Sequence, residues 1–114
     1  MNQNDKYVRV YSLLGLAEKA GRVKSGEFMT EESVKSGKAF LVIVADDASD
    51  NTKKNFVDMC KYYETDCIVF GSKERLGHAI GKEMRASLAV IDAGFSKSIQ
   101  KQISTADIRE DDKE

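Results

Sequence analysis

The sequence predicts an α/β domain: a three-layer α/β/α sandwich with a four-stranded mixed sheet and about five helices. Three observations carry this prediction. The apolar, largely β-branched runs FLVIVA, CIVFG and LAVIDA recur along the chain, as strands covered on both faces do. Between them, apolar residues repeat at intervals of three and four, the period of a helix with one buried stripe. Strands alternating with helices imply a sheet sandwiched between helical layers.

In YVRVYSLLGLAEKAG, Val10, Leu13, Leu14, Ala17 and Ala20 fall on one helical face, and Gly21 supplies the stop. RVKS follows as a short strand. A second helix is expected from about Glu27 to Ser36, closed by Gly37. Residues 40–45 form the first fully buried strand. The polar stretch DDASDNTKK then offers Ser49 or Asp50 as the cap of a third helix. Phe56, Met59, Cys60 and Tyr63 are its inward stripe, and it runs to about Glu64. CIVFG, residues 67–71, is expected to be another buried strand. Ser72 caps KERLGHAIG, with Leu76, Ala79 and Ile80 inward. LAVIDA, residues 88–93, is the last strand, and FSKSIQKQI closes the domain as a helix. The chain has no proline, so its turns rely on glycine and on Asx chemistry.

At 114 residues, with 41% hydrophobic and 32% charged content, the chain has the composition of one ordinary globular domain. Residues 1–103 are expected to form that domain. Residues 104–114 hold five acids against two cations and are expected to be a frayed acidic tail. The overall charge of −1 therefore leaves the body at +2, which permits a nucleic-acid partner but not diffuse, sequence-blind binding. No apolar run is long enough to span a bilayer, and MNQNDKYVRV has no leader pattern. A cytoplasmic location, with no membrane partner, is the expectation. Cys60 and Cys67 are then simply buried thiols, one late in a helix and one in a strand.

Catalytic chemistry finds little support. Neither GRVKSG nor GSKERLGHAIG fits a dinucleotide-binding glycine pattern, and there is no phosphate-loop lysine motif. A Cys60–His78 nucleophile pair is disfavoured, because Cys60 lies on an apolar helix face. Asp46, Asp47 and Asp50 cluster beyond a strand end, where magnesium is conceivable; helix capping is the better account. A non-enzyme without metal, cofactor or small-molecule substrate is expected.

The segments LLGLAEKAGRVKSGE, AFLVIVADDASDNTKKNF and FGSKERLGHAIGKEMRASLAVIDAGF resemble the kink-turn-binding superfamily of large-subunit ribosomal proteins, the L7Ae/L30e type, and in particular its small bacterial YlxQ branch. The resemblance covers about residues 8–103. It implies the same three-layer fold, and binding of structured RNA, chiefly ribosomal RNA, beside ribosomal or ribosome-assembly proteins. It also implies two neighbouring contact loops, giving the site Lys24, Ser25, Gly26, Glu27, Phe28, Met29 and Glu32 together with Lys82, Glu83, Met84, Arg85 and Ala86. A kink-turn is a sharply bent duplex whose bend opens a groove otherwise too narrow for side chains.

Each group has a physical role there. Gly26 lets the backbone approach closely. Free amides near Glu27 and Phe28 donate to phosphate or base acceptors. Lys24, Lys82 and Arg85 neutralise phosphates. Met84 packs on an unstacked base. The family pattern at this junction is G-x-N-E-x-x-K, whereas this chain has Phe28, Met29 and Glu32 at the three reader positions. Asn and Glu contacts to sheared pairs, each worth about 1–3 kcal/mol, are therefore absent. Phe28 and Met29 stand about 100° apart around a helix, so Met29 is expected inward and Phe28 outward. An outward Phe28 would stack on a base or meet a protein. Two functions follow: a ribosome-associated RNA binder, or a protein-interaction module that keeps the fold and has lost base-specific recognition.

Overall fold

The computed structural model describes the backbone of residues 6–112 and the side chains as far as Asp107. The chain runs through α1 (Val8–Lys19), β1 (Val23–Ser25), α2 (Glu27–Lys35), β2 (Leu41–Val44) and α3 (Asp50–Tyr62). It continues through β3 (Asp66–Val69), α4 (Lys73–Ala79), β4 (Ser87–Val90) and α5 (Ala93–Asp112). The expected three-layer α/β/α sandwich is what forms. Its sheet has the order β1-β4-β2-β3. β4 lies antiparallel to β1 and β2, while β2 and β3 are parallel. α2 and α3 pack together over one face, and α1 packs with α4 and α5 over the other.

The inner strands β2 and β4 are buried at every residue, which accounts for their unbroken apolar composition. Around them Leu14, Phe56, Leu76 and Ile99 fill the two interlayer spaces with no exposed area. No helix among the described residues is long and apolar enough to cross a membrane.

Four local expectations need correction. β3 is not a buried strand: it is the sheet edge, with Asp66 and Val69 exposed. Its apolar Cys67 and Ile68 pack partly buried against the core, and the buried Phe70 follows it. Tyr63 does not face the core; α3 ends at Tyr62, and Tyr63 is 41% exposed beyond it. Ala20 is exposed, because α1 has ended one residue earlier. Finally, α5 does not stop near Ile103 but continues through residues 104–112. Ile99, Ile103 and Ala106 extend its buried stripe, and the Tyr7 hydroxyl donates to Asp107 Oδ1 at 2.5 Å, tying α5 to the start of α1. Glu114 of the acidic segment lies outside the described residues.

Candidate nucleic-acid interface

The register carries one end of every strand to a common edge. Ser25 pairs with Leu88, Ser87 with Val44, and Val44 with Val69. Because α2, α3 and α4 each follow a strand that points this way, their N-termini gather along the edge. An uncovered helix N-terminus presents unpaired amides and the positive end of the dipole.

Two of these termini are closed. Ser49 caps α3 by accepting the Thr52 N–H at 3.1 Å. Ser72 caps α4 by accepting from Arg75 at 3.1 Å, and Asp47 Oδ1 accepts the Lys73 N–H at 2.8 Å. The aspartates thus divide: Asp47 serves α4, Asp50 stands in the first turn of α3, and the Asp46 carbonyl accepts from Lys53 Nζ at 2.9 Å. Among the described residues no group of three or more His, Cys, Asp or Glu could hold a metal ion.

The third terminus is open. α2 starts on Gly26, which has no side chain to cap it. Gly26 sits at φ 92° and ψ 159°, a conformation L side chains rarely adopt. A Cβ there would meet nothing within 4 Å, so the demand for glycine is conformational. The Gly26 N–H donates to Ser87 O at 3.0 Å, and the first intrahelical bond runs from Thr30 N–H to Gly26 O. The amides of Glu27, Phe28 and Met29 precede that bond.

The segment 81–87 lies against this junction. Gly77 makes the approach possible: a Cβ on it would fall 1.6 Å from Glu83 O. Lys82 N–H donates to Gly77 O, Arg85 N–H to Lys73 O, and Ala45 N–H to Ala86 O, at 2.8, 3.0 and 2.8 Å. Arg85 Nε reaches Ser25 Oγ at 3.2 Å, and its Nη1 returns to Met84 O at 3.0 Å. Beneath both segments the Ser87 hydroxyl donates to Thr30 Oγ1 at 3.3 Å in a buried contact. The two predicted loops therefore form one surface.

Within it the side chains divide clearly. Phe28 is 75% exposed and Met84 57%. Met29 is only partly covered; the positions of α2 that go inward are Thr30, Ser33 and Val34. Lys82, Glu83, Glu27 and Glu32 are exposed, while Lys24, Ser25, Arg85 and Ala86 are half-buried. Among the described residues neither Lys24, Lys82 nor Arg85 forms an ion pair with a carboxylate. Glu27 in the first turn of α2 complements the dipole and opposes an incoming anion. Sequence reading did not nominate Thr30, Ser87, Lys73 or Gly77. They act through backbone or buried contacts, which residue type alone does not announce.

Residues 8–100 match the family described as ribosomal protein L7Ae/L30e/S12e/Gadd45. The chain belongs to that family. A Bacillus subtilis (strain 168) member named RNA-binding protein YlxQ is 40% identical over 89 residues, 78% of this chain and 89% of its own. The Enterococcus faecium protein of the same name is 37% identical over 103 residues, 90% of this chain and 98% of its own. Among solved structures, a Bacillus halodurans protein of unknown function superposes with a TM-score of 0.81 at 40% identity, covering 84% of this chain and 97% of that one. The Giardia lamblia 15.5kD RNA binding protein has a TM-score of 0.73 at 19% identity, over 95% and 92%. At that distance it shows the shared fold alone. The family match takes in both segments of the edge.

Proposed function

We propose that this protein is a non-catalytic, ribosome-associated RNA-binding protein that engages a bent, kink-turn-like RNA with residues 24–32 and 82–86. The observation that carries the reading is the open N-terminus of α2 lying against the 81–87 segment. Membership of the L7Ae/L30e family and similarity to relatives named RNA-binding proteins support the RNA partner. The amides of Glu27 to Met29 supply donors for phosphate or base acceptors. Lys24, Lys82 and Arg85 flank them as cations, and Phe28 and Met84 offer apolar faces to unstacked bases.

With Phe28, Met29 and Glu32 at the reader positions, recognition leans on backbone donors and shape rather than on side-chain contacts to guanine edges. Titration of a kink-turn RNA and a straight duplex of equal length at several salt concentrations tests this. The kink-turn is expected to bind more tightly. Each neutralised phosphate contributes about −0.7 to −0.9 to the slope of log K against log salt, so three cations give between about −2 and −3. Lys82→Ala or Arg85→Ala should flatten the slope by about one. No saturable binding at any salt, or no response to either substitution, would remove the proposal.

A second reading is favoured by the exposure of Phe28 and Met84 and by a cleft of about 460 Å³ lined by Phe28, Glu31, Glu32, Lys35 and Ser36. Together they suit a protein partner docking an apolar group. Phe28→Ala separates the two: loss of protein capture from nuclease-treated extract with RNA affinity intact favours this reading.

A further inference from the structure

We propose that the crevice beyond the carboxyl ends of β2 and β3 is a nucleobase site for an unpaired guanine, stacked among aromatic side chains with its Watson–Crick edge toward a carboxylate. RNA as the source of that base rests on the reading above; the site itself does not. Topology creates the opening. β2 and β3 are parallel neighbours. Yet the chain leaves β2 for the layer of α2 and α3, and leaves β3 for the layer of α1 and α4. Just beyond the strands, Asp46 N–H donates to Gly71 O at 2.7 Å. Past that bond the two segments part, as at the switch points where open α/β sheets take ligands. A cleft of about 480 Å³ lies there, with Asp46 and Asp47 on one lip and Gly71 and Ser72 on the other. That volume is in the range of small-ligand sites.

The rest of the lining is aromatic. Tyr7 stands edge-on to the buried Phe70 with centroids 4.9 Å apart, and Tyr11 is tilted by 35° at 5.4 Å. Gly71 keeps the place of the Tyr11 hydroxyl clear, which would lie 2.7 Å from a Cβ. The Arg75 guanidinium sits 4.2 Å from the Tyr11 ring centre. A planar base stacks on tyrosine rings and on a guanidinium plane alike. The carboxylates select which base. Asp47 Oδ1 is engaged by the Lys73 N–H at 2.8 Å, whereas Asp46 is exposed and enters no ion pair among the described residues. Its two oxygens only accept, which matches the parallel N1–H and N2–H donors of guanine. Adenine has no such pair, and a phosphate is repelled. A cationic side chain suits the carboxylates but meets Arg75, already seated on the ring that it would use. Lys73 joins the crevice to the proposed RNA surface: its N–H goes to Asp47, and its carbonyl accepts the Arg85 N–H at 3.0 Å.

The test titrates the full chain with blunt kink-turn RNA and with the same RNA carrying a three-nucleotide single-stranded extension, placed at each end in turn. The extension holds one guanine or, in its place, one adenine. Free guanosine, free adenosine and a trilysine peptide are titrated separately. The guanine extension is expected to tighten binding at least about fivefold over the blunt RNA, and the adenine extension by less. Asp46→Asn should remove the preference for guanine, and Tyr11→Leu the whole gain, with blunt-RNA affinity unchanged in both. Asp46 is exposed, so its variant decides the matter even if Tyr11→Leu fails to fold. Saturable guanosine binding that weakens in Asp46→Asn, without any gain from the extensions, supports the same site with a free nucleoside as its ligand. If blunt RNA fails to bind while guanosine binds in this way, the RNA reading falls and the crevice stands. Neither guanosine binding nor a gain from guanine, equal gains from guanine and adenine, or Asp46-dependent binding of trilysine alone overturns the proposal.

Discussion

Gly77 shows how much one missing side chain controls. The backbone of residues 81–87 passes over it so closely that a methyl group would overlap the Glu83 carbonyl. Gly77→Ala must therefore push that segment off α4, because backbone atoms rather than a flexible side-chain tip occupy the space. Overpacking of this kind typically destabilises by about 1–3 kcal/mol. A fall of that size in chemical denaturation, with RNA affinity reduced more than by Lys82→Ala, is the expected outcome. Wild-type values for both would show that the segment is not seated as described. Sequence reading singles out Gly26, because a residue without a side chain at the contact loop lets the backbone approach RNA closely. It passes over Gly77, whose constraint comes from contacts formed only in the folded chain. The same limit hides Thr30 and Ser33. They look like surface residues of α2, yet they lie inward, because the Thr30 hydroxyl accepts from Ser87 and the Ser33 hydroxyl donates to Met29 O at 2.8 Å.

At the scale of elements, local rules served the helices well. Ser49 and Ser72 cap as their positions suggest, and Val10, Leu14 and Ala17 form the expected stripe. α1, α2 and α4 end in one pattern, a pair of reverse bonds closed on Gly21, Gly37 and Gly81. α3 makes the same pair, from Glu64 N–H to Lys61 O and Thr65 N–H to Cys60 O, but with Glu64 at φ 57°. A side chain held in the left-handed region costs about 1 kcal/mol or more. Glu64→Gly is therefore expected to raise stability by up to about 1 kcal/mol, measured as a higher denaturation midpoint at unchanged slope. A lower midpoint would mean that Glu64 contributes contacts outweighing its backbone strain. Strand order was less legible. An edge strand and a central strand can carry similar apolar runs, and the difference between β3 and β2 lies in partners distant along the chain.

For the molecule as a whole, the two ends of the described chain are joined. Tyr7 and Asp107 are a hundred positions apart and share a hydrogen bond, which ties α5 to the start of α1. That bond requires a protonated phenol, and the hydrogen bond to Asp107, then burial, pushes the Tyr7 pKa from 10.0 up to about 12. A raised folded-state value means the contribution is complete below the unfolded pKa and disappears as pH climbs through the folded one. Stability should thus fall between about pH 10 and pH 12, by more in the wild type than in Tyr7→Phe. Equal pH profiles for the two would remove the tie.

The pinning of residues 82–86 has a thermodynamic corollary. A segment anchored to α4, to β1 and to the end of β2 has little freedom left to lose when something lands on it. Most of the shape change on association must then occur in the nucleic acid, so RNAs already bent by their own sequence should be preferred over those that this surface would have to fold.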